Sequence, residues 1–465
     1  MRISFHGAAR TVTGSKHLIE VNNLKILLDC GMFQGKRAEA YEENIHFEFD
    51  AHEVDMVVLS HAHIDHSGNL PNIYKQGFRG DIISTPATRD LCAAMLPDSG
   101  FIQEKDVEFI NKRARKRGEP TVEPIYTQKD ALRAMELFTT QSYYRTRTIA
   151  PGVSLTFKDA GHMLGSTIVI LDIEDRDAKR DLRLVFSGDI GRKGSAIIRD
   201  PETVDRADVV IMESTYGDRL HEEVPDSLKR LEQIVVDTYK RGGSIVMPAF
   251  AVGRVQQIVY MLHQLWRAGD IPPMPVFVDS PLAVDITSVF ALHPEAYDDE
   301  IRDFLRREYD PFGFSHLTYI RNVEDSKRLN FRREPCIIVS ASGMAEFGRV
   351  VHHLANRVED SKNTVLITGW QAPNTLGRRL VDGEKRVRIL GEEYSVNARV
   401  EVIDGFSGHA DKGELLEWAG AIHAKPQRAF LVHGEEPIAL SFQQALIAEL
   451  GWTVDVPHKG QSVEV

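Results

Sequence analysis

Three histidines and an aspartate lie within six residues in the segment HAHIDH, directly after an apolar run that ends at Leu59 and Ser60. On an extended chain His61 and His63 point to the same side, and Asp65 and His66 follow where the chain turns. Imidazole and carboxylate are ligands that Zn²⁺ and its first-row neighbours prefer, and no cysteine lies nearby to form a thiolate site. The spacing predicts a loop that serves two adjacent metal ions. The alternative is a solvated loop rich in histidine.

Short runs of β-branched residues elsewhere in the chain also end at side chains that could bind or support a metal. In α/β proteins, sites form where the carboxyl ends of strands meet, so we expect these endings to converge on one edge. A single ending has an innocent interpretation as a polar residue that closes a strand. Besides the HAHIDH cluster, the endings are Asp29, His162, Asp189, Glu213, His409 and His433.

A chain of 465 residues exceeds what one hydrophobic core usually supports, so two domains are expected. The interval from Asp189 to His409 is too long for a loop, and it alternates β-rich runs with helical patterns. Within it, Val255, Ile258, Val259 and Leu262 have the spacing of a core-facing helix. We predict an inserted α/β domain over 216–390, between two parts of a first domain at 1–215 and 391–465.

The composition, 42% hydrophobic and 27% charged, is typical of a soluble globular protein. The amino-terminal residues lack the apolar core of a signal peptide, and no apolar run is long enough for a membrane helix, so we expect a cytoplasmic protein without membrane contact. Cys30, Cys92 and Cys336 are scattered, which predicts reduced thiols. The net charge of −12 argues mildly against a nucleic-acid partner. The basic run 111–118 is interpreted as a solvated helix face or helix end.

Taken together, these motifs resemble the metallo-β-lactamase superfamily in its β-CASP branch of RNA-processing nucleases, which includes ribonuclease J and the cleavage and polyadenylation factor nuclease. HAHIDH is similar to the H-x-H-x-D-H signature, and GAARTVTGS and SASGM are similar to other segments of the branch. The remaining similarities are at the third and fourth ligand motifs and at three motifs of the branch, matched here by His162, Asp189, Glu213, His409 and His433. The resemblance implies an α/β fold, a four-layer αβ/βα sandwich with an inserted α/β (β-CASP) domain.

The resemblance also implies roles for these residues. It implies two Zn²⁺ per chain, with Mn²⁺ able to substitute: one ion bound by His61, His63 and His162, the other by Asp65, His66 and His433. Asp189 would bridge the ions and, with Asp65, belong to the catalytic groups. His409, oriented by Glu213, would assist the leaving group. Asp29 would fix the ring of a ligand histidine; the alternative is an aspartate that caps a turn.

The branch members that act on RNA carry a histidine where His433 stands, so the prediction is a zinc-dependent ribonuclease acting on single-stranded RNA in RNA processing or decay, as an endonuclease, a 5′–3′ exonuclease or both. We expect a compact core enzyme, with a homodimer as a candidate assembly. The alternatives are a carboxylic ester, thioester or lactam hydrolase of the same superfamily, and an inactive scaffold subunit of an RNA-processing complex. Candidate substrate phosphate ligands, each with an alternative structural role as a cap or a surface ion pair, are Ser340, Ser342, Gly343, Arg254 and Arg378.

Overall fold

The computed structural model describes residues 1–35, 37–307, 310–372 and 374–465. The chain divides into two compact units. Unit 1 comprises Met1–Lys193, Asp200–Leu220 and His409–Val465, and unit 2 comprises Gly194–Arg199 and His221–Gly408.

The first sheet of unit 1 has the strand order β22-β1-β2-β3-β4-β5-β6. Its strands are β1 (Arg2–Gly7), β2 (Lys16–Val21), β3 (Leu24–Leu28), β4 (Met56–Val58), β5 (Asp81–Ser84), β6 (Phe138–Thr140) and β22 (Ser462–Glu464). The strands from β3 to β6 run parallel. Between them the chain forms α1 (Arg37–Ile45), α2 (Ile64–Ser67), α3 (Leu70–Lys75), α4 (Pro86–Arg117) and α5 (Gln128–Ala134), with short 3₁₀ turns at Ala51–Glu53 and Met135–Leu137.

The second sheet of unit 1 has the order β21-β20-β11-β10-β9-β8-β7. Its strands are β7 (Arg147–Ala150), β8 (Val153–Asp159), β9 (Thr167–Asp175), β10 (Arg180–Phe186), β11 (Val209–Glu213), β20 (Arg428–Val432) and β21 (Val454–Asp455). β10, β11 and β20 are parallel neighbours, and β8 runs in the same direction because two antiparallel pairings separate it from β10. Two helices, α13 (Lys412–Gly420) and α14 (Glu436–Leu450), lie beside this sheet.

The core of unit 1 lies on both faces of the second sheet. Between the two sheets, alternate residues of both interlock in one buried cluster that includes Phe5, Phe157, Phe186 and Phe430. On the outer face of the second sheet, the intervening residues pack against α13 and α14, for example around Trp418. Because both faces of a strand such as β11 are buried, its sequence is an apolar run, VVIM before Glu213, and not an alternation.

Unit 2 is built on a sheet with the order β14-β13-β15-β12-β16-β19, whose pairs are all parallel. Its strands are β12 (Ile245–Pro248), β13 (Val276–Val278), β14 (Leu317–Tyr319), β15 (Ile337–Ser340), β16 (Thr364–Ile367) and β19 (Arg399–Val402), with a hairpin of β17 (Arg386–Ile389) and β18 (Glu392–Ser395). Its helices are α6 (Val224–Lys240), α7 (Arg254–Ala268), α8 (Pro281–Leu292), α9 (Asp299–Arg306), α10 (Val323–Asn330), α11 (Arg349–Ala355) and α12 (Leu376–Val381), with a 3₁₀ turn at Pro294–Ala296. Buried clusters cover both faces of this sheet.

The helix expected around Val255–Leu262 forms as α7, and its four marked residues are buried in the core of unit 2. The carboxyl-terminal boundary differs from the expectation. The second part of the first domain was expected to begin at 391, but β19 pairs with β16 in the sheet of unit 2, and unit 1 resumes at His409. The strand before His409 therefore belongs to unit 2, and a short loop carries the chain back.

Among the described residues, no helix is both long enough and apolar enough to cross a bilayer. The three cysteines are buried and unpaired.

Candidate metal centre

The expected strand endings in unit 1 supply a cluster of imidazoles and carboxylates. β3 is followed by Asp29, β4 by the HAHIDH loop, β10 by Asp189 and β20 by His433. Two groups of donor atoms each lie within 4.8 Å of one another: His61, His63, His162 and Asp189 form the first, and Asp65, His66 and His433 form the second. A third such group, Asp189, Glu213 and His433, overlaps both. The structure therefore brings together all seven residues to which metal binding was assigned.

The imidazole nitrogens approach each other as closely as ligands of a common ion do. His63 Nδ1 lies 3.2 Å from His61 Nε2 and 3.1 Å from His162 Nε2. In the second group, His66 Nε2 lies 3.1 Å from His433 Nε2. Tetrahedral Zn²⁺ with Zn–N bonds of 2.0–2.1 Å separates its ligand nitrogens by about 3.3–3.4 Å. The spacing of these donors thus fits two small divalent cations.

Asp189 lies between the two groups. Its Oδ2 is 3.4 Å from His61 Nε2 and 3.3 Å from His66 Nε2, one from each group. Its Oδ1 is buried, lies 3.5 Å from His433 Nδ1 and accepts no hydrogen bond from the described residues. Burying a carboxylate oxygen without a hydrogen bond is costly unless a cation compensates it. The position and the missing hydrogen bond both fit a carboxylate that bridges two ions.

His66 and His433 each have a polar partner at their second ring nitrogen. His66 Nδ1 donates to Asp29 Oδ2 at 2.7 Å, and the same carboxylate accepts from the backbone N–H and the hydroxyl of Ser60. Thr215 Oγ1 lies 3.1 Å from His433 Nδ1. Such contacts fix the tautomer and orientation of ligand histidines. The geometry therefore favours the ring-orienting role of Asp29 over a turn cap.

His409 lies next to the cluster and is not a member of either donor group. Its Nδ1 is 3.1 Å from Glu213 Oε2 and 3.9 Å from Asp189 Oδ2, and its side chain is 21% exposed. Glu213 is fully buried, and its other oxygen accepts from the backbone N–H of Ile190, next to Asp189. A fixed, solvent-accessible imidazole held by a buried carboxylate is suited to transferring a proton.

The charge state of the histidines follows from their surroundings. Burial, reinforced by the charge of His66, lowers the pKa of His61 to about 3, and burial lowers that of His63 to about 4, so both rings are neutral with a lone pair free for a metal. For His66, burial opposes protonation, but the charges of Asp189 and Asp29 raise its pKa well above the usual value. A bound cation would replace that proton.

His409 is likewise protonated in the metal-free chain. Burial opposes its charge, but the charge of Glu213 and the hydrogen bond to it, with Asp189 and Asp65, raise the pKa of His409 to about 9. Asp189 itself is held ionised. Burial raises its pKa, whereas the interactions with His433 and His66 and the hydrogen bond with His61 lower it well below the usual value.

The backbone around the cluster is in unusual conformations at two site residues. Asp29 has φ 59° and His433 has φ 48°, both in the left-handed region that is rare for residues with a side chain. Close packing also requires a glycine at position 31, because a Cβ there would lie 1.6 Å from the carbonyl oxygen of Asp65. Such local strain is found at functional sites that the surrounding structure holds in place.

The residues suggested as phosphate ligands lie in unit 2, and three of them have structural partners. Ser340 is fully buried, and its hydroxyl donates to the carbonyl of Asp279. Arg378 pairs with Asp382 one turn away, and Arg254 donates to Gln257. The contact of Arg378 matches the ion-pair alternative, whereas Arg254 and Ser340 form hydrogen bonds to neutral groups.

The loop after β15 retains two of the suggested residues. Ser342 Oγ is shielded from solvent and has no hydrogen-bond partner in the described part of the chain. Gly343 lies against the ring of Phe250, where a Cβ would be 2.9 Å from the ring, and its carbonyl accepts from Gln371.

Sequence reasoning missed the hydroxyl groups around the metal ligands. Ser60 lies 3.0 Å from His61 Nδ1, and Thr215 contacts both the ring and the carbonyl of His433. The only available signal was their position, since Ser60 directly precedes the HAHIDH cluster and Thr215 follows Glu213 by two residues.

The sheets, the inserted unit and the cluster of imidazoles and carboxylates define an α/β metallohydrolase class. Three family models match successive parts of the chain: a metallo-beta-lactamase superfamily domain at residues 18–178, a Beta-Casp domain at 255–380, and a Zn-dependent metallo-hydrolase RNA specificity domain at 393–457. The chain belongs to the β-CASP family of the metallo-β-lactamase superfamily. The family predicted from the motifs and the α/β fold class with an inserted domain are both confirmed.

Individual relatives match over the full length of the chain. It is 35% identical to "Ribonuclease TTHA0252" of Thermus thermophilus over 465 residues, with complete coverage of both proteins. It is 31% identical to an "RNase J-like protein" of Methanocaldococcus jannaschii, with 98% of each covered, and 31% identical to "Transcription termination factor FttA" of Thermococcus kodakarensis, of which it covers 71%. A crystal structure of a protein of unknown function from Enterococcus faecalis is 12% identical, with a TM-score of 0.57 and 99% of both chains covered, and shares the fold.

Proposed function

We propose that the chain is a dinuclear zinc-dependent ribonuclease that hydrolyses phosphodiester bonds of single-stranded RNA. The observation that carries the proposal is His409, a hydrogen-bonded imidazole beside the metal centre that is not one of its ligands. A thioester hydrolase, which expels a weakly basic thiolate, has less need of such a proton donor than an enzyme that must expel a sugar alkoxide. The match of residues 393–457, which contain His409 and His433, to an RNA specificity domain supports the same substrate.

Seven side chains are suited to hold two ions. His61, His63 and His162 would hold one, Asp65, His66 and His433 the other, and Asp189 both. When bound, two such cations lower the pKa of a shared water and stabilise charge on a phosphoryl group. Zn²⁺ is proposed because histidine and carboxylate dominate the donors, and Mn²⁺ accepts the same ligands.

The residues around the ions have separate tasks. Asp29, Ser60 and Thr215 keep the ligand rings in the orientation in which their lone pairs face the ions. His409, protonated on both nitrogens, donates a proton from Nε2 to the leaving sugar oxygen while Nδ1–H stays on Glu213. In the inserted unit, Ser342 and Gly343 are the proposed phosphate contacts, since the Ser342 hydroxyl is the one without a partner in the described residues.

The two alternatives are less consistent with these residues. An inactive scaffold would have no reason to retain two complete donor groups around a buried carboxylate oxygen that accepts no hydrogen bond from the described residues. A thioester hydrolase, which expels a weakly basic thiolate, would leave the Glu213–His409 pair without a task, and the match to an RNA specificity domain favours RNA over an ester or a lactam. The name of the full-length relative, a ribonuclease, also favours RNA.

The test is to incubate the purified chain with single-stranded RNA, with DNA of the same sequence, and with a thioester and nitrocefin. RNA labelled at the 5′ or the 3′ end, with a 5′-monophosphate or hydroxyl, distinguishes endonuclease from exonuclease cleavage. We expect RNA cleavage that Asp189→Ala abolishes and that the exposed-residue control Asp177→Ala retains. Faster cleavage of DNA, or turnover of only the thioester or nitrocefin, would contradict the proposal.

Two further properties are proposed with this function. The buried, unpaired thiols of Cys30, Cys92 and Cys336 suit a reducing compartment, which supports a cytoplasmic location. A homodimer remains a prediction, and sedimentation equilibrium of the purified chain checks it.

A further inference from the structure

The second half of α4 presents cationic and aromatic side chains on one side. This half runs from Phe101 to Arg117 and follows Pro97, the proline inside the helix. At about 100° per residue, seven side chains fall within a sector of roughly 120°, and we name this sector the α4 face. Its members are Phe101, Ile102, Lys105, Phe109, Lys112, Arg113 and Lys116. Phe101 is 47%, Ile102 44% and Phe109 60% exposed, and the four cationic residues are exposed as well.

The cations and rings of the α4 face are interleaved. Lys105 Nζ lies 5.8 Å from the ring centroid of Phe101, and Arg113 Cζ lies 5.7 Å from that of Phe109. Lys105 also pairs with the exposed Glu108. Within the described ranges, the positive charges of Lys112, Arg113 and Lys116 have no carboxylate at ion-pair distance. The α4 face is therefore locally positive, although the chain as a whole has a net charge of −12.

The opposite side of α4 is anchored, so the face is held in a fixed position. The side-chain amide of Asn111 exchanges two hydrogen bonds with the backbone of Val122, and the hydroxyl of Tyr126 donates to Ser99. Ala114 is buried, and Gly118 ends the helix in the left-handed conformation. A rigid helix can display side chains to a ligand without first being ordered.

The amino-terminal end of α4 is tied to the metal centre. The hydroxyls of Thr85 and Thr88 both donate to the carbonyl of Gly165, three residues after the ligand His162. With a rise of 1.5 Å per residue, the α4 face begins roughly 22 Å and ends roughly 45 Å along the helix from its first residue. The face is therefore remote from the reacting atoms but on a helix that starts beside them.

Neither the helix dipole nor a membrane surface accounts for the whole α4 face. Basic residues in the last turn complement the helix dipole, which is sufficient for Lys116 but not for Lys112, Arg113 or the exposed rings. A membrane-surface helix carries a broad apolar face separate from its charges, whereas here the two ring positions alternate with lysine and arginine. Aromatic side chains alternating with cations are the combination that binds single-stranded nucleic acid, through base stacking and phosphate contacts.

We propose that the α4 face binds the single-stranded RNA substrate at a distance from the metal centre. The proposal rests on the proposed function in taking RNA as the ligand, and goes beyond it in assigning a second contact surface. Phe101 and Phe109 would stack on bases, and Lys112, Arg113 and Lys116 would contact phosphates. Long RNA would gain affinity by reaching both surfaces, whereas a trinucleotide is shorter than the roughly 22 Å of helix between the first residue of α4 and the α4 face, even when it is extended.

The test compares three variants of the full chain: Lys112→Gln/Arg113→Gln/Lys116→Gln, Phe101→Ser/Phe109→Ser, and the control Arg145→Gln/Arg147→Gln/Lys179→Gln, which removes three exposed charges elsewhere in unit 1. Binding of 30-nucleotide RNA is measured by fluorescence anisotropy in the Asp189→Ala background, across a salt series. We expect the charge variant to bind at least tenfold more weakly. The slope of the logarithm of its affinity against the logarithm of the salt concentration should be smaller by about two to three. The aromatic variant should lose roughly fivefold or more without a change of slope.

The cleavage readout uses chains with Asp189 intact. The charge variant should raise KM for the 30-nucleotide RNA with little change in kcat, and leave cleavage of the trinucleotide unaffected. Parental affinity in both α4 variants, or a loss no larger than in the control, overturns the proposal. So does an unchanged RNA affinity with lost binding to phosphatidylserine vesicles, which would assign the face to a membrane. If neither the parental chain nor any variant cleaves RNA, but the α4 variants lose RNA binding, the proposed function is wrong and the RNA-binding surface is still supported.

Discussion

Replacing His409 by alanine separates its role from that of the metal ligands. Its ring contacts Glu213 and lies 3.9 Å from Asp189, but it belongs to neither donor group, so both ions should remain bound. Transfer of a proton by a positioned side chain contributes 10²- to 10⁴-fold, or about 3 to 5 kcal/mol of activation free energy. We expect His409→Ala to lower the single-turnover rate of RNA cleavage by this factor while RNA affinity is preserved.

The expected effect of replacing Glu213 follows from its contact with the ring of His409. Glu213→Gln removes the charge that raises the pKa of His409 to about 9 against the effect of burial. A proton donor loses activity as pH rises through its pKa, so the alkaline limb of the pH–rate profile should move to lower pH. Bound cations also lower this pKa, but they do so in both proteins, and the difference remains. Loss of an orienting partner typically costs 10- to 100-fold.

The assay measures cleavage rates across pH and metal content by elemental analysis for His409→Ala, Glu213→Gln and the double variant. The double variant should be little slower than His409→Ala alone, because the two residues act as a unit. The exposed His458 provides the control substitution His458→Ala. Parental cleavage by His409→Ala, or the loss of one metal ion from it, would refute the reasoning.

Three other predictions concern binding and stability. Asp29→Asn should weaken metal binding 10- to 100-fold in a competitive chelator titration, because the Asp29 carboxylate orients the ring of His66 at 2.7 Å. Unchanged affinity would indicate that Asp29 only caps a turn. Because the pKa of His66 is raised, a cation must displace a proton, so the same titration should show affinity increasing with pH in the neutral range, and a flat profile would contradict this. Asp279→Asn should lower the free energy of unfolding in urea by about 3–5 kcal/mol, because it leaves the buried His353 and Arg349 without their carboxylate. Burial opposes ionisation of Asp279, but these hydrogen bonds keep its pKa below the usual value, so its stabilisation is present at neutral pH and is lost as the pH falls below about 4, where the variant and the parent should converge.

The positions of the metal donors could be predicted because each directly follows or lies close to a recognisable strand. Asp29 and His433 adjoin β3 and β20, and parallel strands bring such endings to one edge. His409 was grouped with them for the wrong structural reason. Its preceding strand, β19, pairs within unit 2, and no periodicity distinguishes a parallel strand of one sheet from that of another.

The partners of the ligands were not predictable, because they depend on backbone conformations that residue types do not specify. The left-handed φ angles of Asp29 and His433 turn the chain abruptly at the strand ends. At His433, Thr215 reaches both the ring and the carbonyl, although 218 positions separate the two residues. A threonine two residues after Glu213 is unremarkable in a sequence. Only the parallel pairing of β11 with β20 gives it a task, because that pairing places the segment after Glu213 beside the ring that Thr215 holds.

Local backbone position also explains why two of the candidate phosphate ligands, Ser340 and Ser342, differ in the structure. Ser340 and Ser342 are two residues apart in SASGM and were equal candidates as a sequence. In the structure, Ser340 ends β15 and its hydroxyl joins that strand to the carbonyl of Asp279, whereas Ser342 lies two residues further, past the last pairing residue of the strand. The hydroxyl of Ser340 already donates a hydrogen bond within the sheet, whereas the hydroxyl of Ser342 has no hydrogen-bond partner among the described residues and can bind a ligand. Ser342→Ala should therefore raise KM for RNA with little loss of stability, and Ser340→Ala should lower stability first.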